Sequence, residues 1–482
     1  MIISNKSTAV LLLSSVAALL SACQTMTPQD SAPPPQAAIG QAENASGVYS
    51  YMLDNGMKIL VKPDHRSPVV VSQVWYKVGS SYEYDGITGV SHALEHMMFK
   101  GTKRLKPGEF SEIIAANGGS ENAFTGNDYT AYFQRIASDR LELCLENEAD
   151  RMRNLQLKEG EFKKEIEVIK EERRMRTDDS PTALTYERLN AAAFTNSSYR
   201  QPIIGWMDDL DNMRLKDLQQ WYQTWYAPNN ATLVVAGDVE PQQVYRLAKQ
   251  YFGPLQPSII DPPKPRREVA QLGERRITVK APARVPYLLM GYKVPVLKTS
   301  QNEWEIYALE VLAGVLDGGN SSRLSQQLIR KNEIAASAGA GFDPYDRQQT
   351  LFIFDGTPGS GHTTAQLESA IRKLIREIQH KAPSEDELAI VKAQVMASEV
   401  YEKDSVFYQA MQLGILETVG LGWQRKDEYM KKIRQVTPAQ VQAVAKKYLT
   451  RDNLTVAILD PQPIDPKAQA KHSSPVGGRH AR

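Results

Sequence analysis

Two histidines four residues apart, His92 and His96, bracket a glutamate, Glu95, in the stretch SHALEHMMFKGT. The chain has only seven histidines, so the pairing invites a chemical reading. On a helix, residues three and four apart share a face, which points His92, Glu95 and His96 the same way. Two imidazoles on one face form a clamp for a divalent metal, and an adjoining carboxylate can carry a proton. Val90, Leu94, Met97, Met98 and Phe99 surround the trio and predict a mostly buried helix. Buried histidines and a buried glutamate are costly without partners, and a metal is the simplest partner.

Two histidines leave a catalytic zinc one protein ligand short. A carboxylate from another helix is expected, and EGEFKKEIEVIKEERRMR, residues 159–176, offers several. Glu165, Val168, Ile169 and Glu172 fall on one face, because seven residues make nearly two turns. Glu161, Glu167 and Glu171 point elsewhere. Without the histidines, so acidic a helix reads as a solvated surface.

The elements that must hold these residues follow from periodicity. YSYMLDNGMKILVKPD reads as a hairpin about an Asn-Gly pair, and VVVSQVWYKVG as a strand. Helical patterns cover roughly 87–99, 107–117, 137–154, 158–177 and 183–193. A further helix, LKDLQQWYQTWY, leads into the strand ATLVVAGDV. These elements then recur. Leu218, Trp221, Trp225, Asn230 and Thr232 fall opposite Val441, Val444, Tyr448, Asn453 and Thr455 at one constant offset. HALEHMM at His92 lies opposite YALEVLA at Tyr307, so only the first copy keeps its histidines. A shared register of this kind predicts an α+β fold made by duplication.

The chain has 482 residues, 42% of them hydrophobic, with a net charge of +1. That is enough for two or more globular domains, and dispersed charge gives no footprint for nucleic acid. Lys6 and the apolar run AVLLLSSVAALLSAC read as a secretory signal over residues 1–22. Leu20-Ser21-Ala22-Cys23 resembles the lipobox of bacterial lipoproteins. That resemblance implies cleavage before Cys23, its acylation, and anchoring to a membrane; Gln24 after it implies the periplasmic face of the outer membrane. Residues 23–47 then form a flexible tether, and 463–482 a disordered tail. Cys144 lies on an apolar helical stripe and is expected in the core.

HALEHMMFKGT, followed by Glu172 in VIKEERRM, resembles the inverzincin metallopeptidases of the pitrilysin family, M16. Within that family it is most similar to the subfamily of the mitochondrial processing peptidase β subunit and its bacterial relatives. The likeness runs over the chain after the tether and includes GGSENAFTGNDYTAYF, 118–133, and DGGNSSRLSQQL, 317–328. It implies two homologous α/β-sandwich-like domains, 48–256 with a zinc site and 277–462 without one, joined by a Pro- and Arg-rich linker, 257–276. It implies one Zn2+ per chain held by His92, His96 and Glu172. Glu165 would orient a ligand, and Glu95 would be the general base. An edge strand at Asn122 and Ala123 would accept a peptide substrate by backbone hydrogen bonds, favouring extended or unfolded chains.

One expected feature is missing. Active single-chain members of the family, and one chain of its split members, carry an Arg and a Tyr seven apart after an SSRL-type helix start, where they support the substrate carbonyl. Here those positions fall on Ile329 and Ala336; Arg330 is adjacent, but Ser337 stands seven beyond it. The resemblance therefore implies a heterodimer with a homologous subunit that supplies the pair. A homodimer using another donor such as Arg330, or a non-catalytic peptide-binding scaffold, are the alternatives. The scaffold would have no need of Glu95.

Overall fold

The computed structural model describes residues 47–261, 264 and 266–464. The signal segment, Cys23 and the tether up to residue 46 lie outside the described residues, as does the tail from 465. Among the described residues no helix is long and apolar enough to cross a membrane.

The first sheet contains β1 (Tyr49–Met52), β2 (Lys58–Pro63), β3 (Val69–Tyr76), β4 (Ser120–Thr125), β5 (Thr130–Ala137) and β6 (Ala231–Gly237). Its order is β1-β2-β6-β3-β5-β4, with β2 and β6 parallel and the other pairs antiparallel. The second holds β7 (Arg275–Pro282), β8 (Tyr287–Val294), β9 (Ala335–Gly341), β10 (Thr350–Pro358) and β11 (Leu454–Gln462). Its order, β7-β11-β8-β10-β9, repeats the first without β1, down to the single parallel pair, β7 with β11. The two halves are copies of one topology. The repeated asparagines have the same task in each: Asn230 donates to the Trp225 carbonyl (2.9 Å) and Asn453 to the Tyr448 carbonyl (3.2 Å), fixing the turn from helix to strand.

The strand β3 is buried on both faces, which explains its nearly continuous apolar run. Val70, Val74 and Tyr76 join the core beneath the first half's own helices, where Cys144 is also buried. Val71 and Trp75 face the other way, and that face is covered by Ala410 and Leu413 of a second-half helix, Val406–Thr418. The debt is returned: Leu189 and Ala193 of the first-half helix Pro181–Ala193 cover Leu289, Leu351 and Ala457 of the second sheet. Each half therefore lends a helix to the other. A further joint is polar. Arg347 bonds Asp128 through its backbone N–H (2.9 Å) and Nε (3.1 Å), reaches Ser81 Oγ (2.8 Å), and lies over the Tyr82 ring.

Two boundaries can now be set. The expected linker runs to residue 276, and β7 begins at Arg275, because Arg275 and Arg276 already pair with Thr455 and Val456 of β11. Upstream, Glu268 accepts backbone N–H groups of Thr195, Asn196 and Ser197 and pairs with Lys293 at 2.7 Å, so this stretch is fastened at its middle. The helical pattern over roughly 158–177 is helical over 159–178, α-helical through Glu159–Arg173 and then a π-type turn, Arg174–Asp178.

Candidate metal centre and peptide cleft

The histidine helix, Val90–Met97, starts abruptly. Gly89 has a left-handed φ of 88°, and a Cβ there would lie 2.5 Å from the Ile204 carbonyl oxygen. Buried Glu83 accepts the N–H groups of Gly89 (2.7 Å) and Ser91 (2.8 Å), satisfying two open donors of the first turn. Val90, Leu94, Met97 and Met98 are buried as their spacing predicts. The acidic helix, Glu159–Arg173, is tied to the same corner through its last residue. Arg173 bonds Glu187 (2.8 Å) and the carbonyl of Gly205 (2.9 Å), the glycine that abuts Thr88 and Gly89.

This arrangement brings His92, His96 and Glu172 together: one donor atom from each lies within 4.8 Å of the others. Glu172 Oε2 is 3.3 Å from His96 Nε2 and 3.7 Å from His92 Nε2. Glu165 meets the far side of His96, with Oε1 3.0 Å from Nδ1, which holds a proton on Nδ1 and turns Nε2 toward Glu172. The other acids of this helix are spent on lysines and arginines: Glu159 on Lys163, Glu161 on Lys164, Glu167 on Lys170, Glu171 on Arg174. Two imidazole nitrogens and a carboxylate oxygen on two rigid helices, one imidazole oriented by a further carboxylate, are a donor set that fits zinc.

Electrostatics separates the two imidazoles. Burial, reinforced by the charge of His96, holds His92 down to about 3, so it is neutral. Burial also opposes charge on His96, but hydrogen bonds to Glu165 and Glu172 raise it to about 9. Glu172 and Glu165 stay below the usual carboxylate range: burial pushes each up, and their histidine hydrogen bonds more than offset it. Glu95 does not join the cluster. Its carboxylate accepts the Thr125 hydroxyl, and burial raises its pKa against that bond.

Four supporting residues were missed by the sequence reading. Thr125 on Glu95 and Lys100 on Glu165 (2.5 Å) act across tertiary contacts, Glu83 reaches the helix start from a few residues upstream, and Arg176 bonds Glu172 Oε1 (2.7 Å) from the next turn of the same helical stretch. Spacing offered a hint for two of them: Lys100 stands one turn beyond His96 and Arg176 one turn beyond Glu172.

The cluster opens into a chamber of about 2270 Å³ between the two halves. Strand β4 lines it and is the sheet's free edge, paired only with β5. Asn122 and Ala123 lie on this strand, and the Ala123 N–H is bonded to the Asn122 side chain (2.9 Å) instead of to β5. The facing wall carries Ala340 and Gly341 of β9 and Leu351 and Ile353 of β10. Ile329 packs against the second core, Ala336 is exposed, and exposed Arg330 does not line the chamber.

The description "Insulinase (Peptidase family M16)" matches residues 58–206, and "Peptidase M16 inactive domain" matches 212–395. A Helicobacter pylori protein described as zinc protease PqqE is 37% identical over 324 residues, 66% of this chain and 72% of its own. The chain belongs to the M16 peptidase family. The uncharacterized zinc protease YmxG of Bacillus subtilis is 27% identical over 413 residues, covering 85% of this chain and 98% of that one. The crystal structure of a protease from Helicobacter pylori superposes with a TM-score of 0.81 at 31% identity, over 86% of this chain and 99% of the other. In M16 terms, the histidine helix falls in the first matched region and the helix Glu303–Asp317, with Tyr307 and Val311 in place of histidines, in the second.

Proposed function

We propose that this chain is the zinc-bearing subunit of an endopeptidase that cleaves extended or unfolded peptides. The observation that carries the reading is the meeting of His92, His96 and Glu172 donors beside a separately held Glu95, on the wall of a chamber that also exposes a sheet edge. Zinc held by His92, His96 and Glu172 would supply Lewis acidity, polarising a peptide carbonyl and activating water at neutral pH.

The remaining work belongs to the protein. Glu165 and Lys100 fix the His96 ring, and Arg176 steadies Glu172 through its outer oxygen. Glu95 takes the proton of the attacking water and returns it to the leaving amine; burial, by raising its pKa, brings it nearer the working pH. Strand β4 receives the substrate as an added strand once the Asn122 side chain releases the Ala123 N–H. With Ile329 and Ala336 at the positions expected for Arg and Tyr, a homologous M16 partner supplies that pair. The Leu20-Ser21-Ala22-Cys23 segment anchors the chain by lipid at the periplasmic face of the outer membrane. Co-purification of the native protein with metal analysis tests partner and cofactor together: a partnerless, zinc-free preparation that still cleaves peptide overturns the reading.

Glu172→Ala is expected to lose zinc in elemental analysis, whereas Glu171→Ala, which removes only an exposed pair with Arg174, keeps it. The reverse outcome would put the wrong face of the helix on the metal.

Binding must also displace the His96 proton, since His92 is already neutral. Titration calorimetry at pH 7.5 in buffers of differing ionisation enthalpy should show about one proton released per zinc. Affinity falls about tenfold per pH unit as pH drops below about 9. In the metal-free fold the sign is opposite. The stabilisation from charged His96 is complete below histidine's ordinary value near 6.5 and vanishes as pH rises through about 9. Zero proton release would contradict this picture of the site.

A further inference from the structure

On the outer side of the second sheet, a cleft of about 660 Å³ lies where the helices Thr364–His380 and Pro438–Tyr448 end. None of its residues lines the peptide chamber. Its wall carries Arg372, Arg376, Lys446 and Arg451, and no carboxylate. Two of these cations are partly matched from behind: Arg372 pairs with Glu368 (2.8 Å) and Glu274 (3.0 Å), and Arg451 with Glu274 (3.2 Å). Those same two carboxylates also serve Arg276. Arg376 and Lys446 form no ion pair among the described residues.

The floor gives an independent observation. Tyr292 of β8 is only 2% exposed, with its ring packed edge-on to Phe354, yet it lines this cleft. Its hydroxyl has no hydrogen-bond partner among the described residues; burial raises its pKa, and the charges of Arg372 and Arg376 on one side and of Glu274 and Glu368 on the other bear on it. The ring is buried and the unpartnered hydroxyl opens to the cleft, where it can donate to an acceptor held among the arginines. The helix ends explain part of the charge, since His380 and Lys446 complement the carbonyl ends of their helices. They explain neither the unmatched Arg376 nor the phenol. Gln379 Nε2 donates to the carbonyls of Ala445 and Leu449 (3.0 and 3.1 Å), which locks the two helices around the cleft.

We propose that this cleft binds a phosphate group, with Arg376, Lys446 and Arg451 meeting its charge and Tyr292 donating from below. Guanidinium and ammonium donors converging with one hydroxyl suit the several acceptor oxygens of phosphate. The group is either the headgroup of an anionic lipid, which would orient a membrane-anchored chain, or a soluble phosphate.

The test is thermal unfolding of the full chain carrying Cys23→Ser, so that no acyl anchor contributes. The probes are inorganic phosphate, pyrophosphate and short-chain dihexanoyl phosphatidylglycerol below its micelle concentration, each against chloride at equal ionic strength. The expected result is a saturable rise in Tm with at least one probe. Arg376→Glu with Lys446→Glu should weaken the apparent affinity roughly tenfold or more. Tyr292→Phe, which preserves the packing, should weaken it by a smaller factor. A response confined to the lipid identifies a headgroup site, and one confined to the inorganic ions a soluble ligand; either supports the cleft as a phosphate site. No saturable response to any probe, or an equal response in a double variant whose Tm in phosphate-free buffer is unchanged, overturns it.

Discussion

Glu95→Gln is expected to keep a full complement of zinc and to lower peptide cleavage by about 10²–10⁴-fold. Glutamine preserves the size of the side chain and can still accept the Thr125 hydroxyl, so the helix and the nearby donors are undisturbed. What it loses is the ability to take and return a proton. The measurement is turnover of a quenched peptide by the native co-purified protein, read beside its metal content. The duplication supplies an internal control. Glu310 stands at the position of Glu95 in the second copy, is bonded by the Tyr429 hydroxyl, and is raised to about 7 by burial. No histidine accompanies it, since Tyr307 and Val311 fill those places in the second core. Glu310→Gln should therefore leave the cleavage rate unchanged. If Glu95→Gln turned over peptide at the wild-type rate, Glu95 would have no part in the chemistry.

How much of this arrangement could be read from residues alone depends on the range of the interaction. His92, Glu95 and His96 share a face because helical spacing dictates it, and the same rule separates Glu172 from Glu171. The duplication was legible because turn residues such as Asn230 and Asn453 repeat a local hydrogen bond. Contacts between distant segments carry no such spacing. Nothing around Thr125 announces that its hydroxyl holds Glu95, and nothing around Glu83 announces that it satisfies a helix start seven residues on. The exchange of helices between the halves was hidden for a related reason. An apolar stripe on Pro181–Ala193 says that something covers it, and reads the same whichever sheet that is.

That exchange makes Gly414 a sensitive backbone position between the halves, and Gly414→Val is expected to destabilise the chain by about 3 kcal/mol or more. Gly414 lies on the second-half helix that covers the first sheet, and a Cβ there would sit 2.0 Å from the ring of Trp75. The indole has nowhere to go. It is fully buried, its Nε1 donates to Gln73 (2.9 Å), and Phe124 and Tyr129 pack edge-on against it at 5.4 and 5.1 Å. The added side chain must therefore lift the helix off the sheet, exposing the apolar face shared by Val71, Trp75 and Leu413. A drop in the urea midpoint measures the effect, and an unchanged midpoint would mean that the halves do not depend on this contact. Because Phe124 immediately precedes Thr125 on β4, the disturbance should also reach the site. At urea concentrations where the variant is still folded, its cleavage rate should fall while zinc stays bound, since His92, His96 and Glu172 stand on helices that Trp75 does not touch.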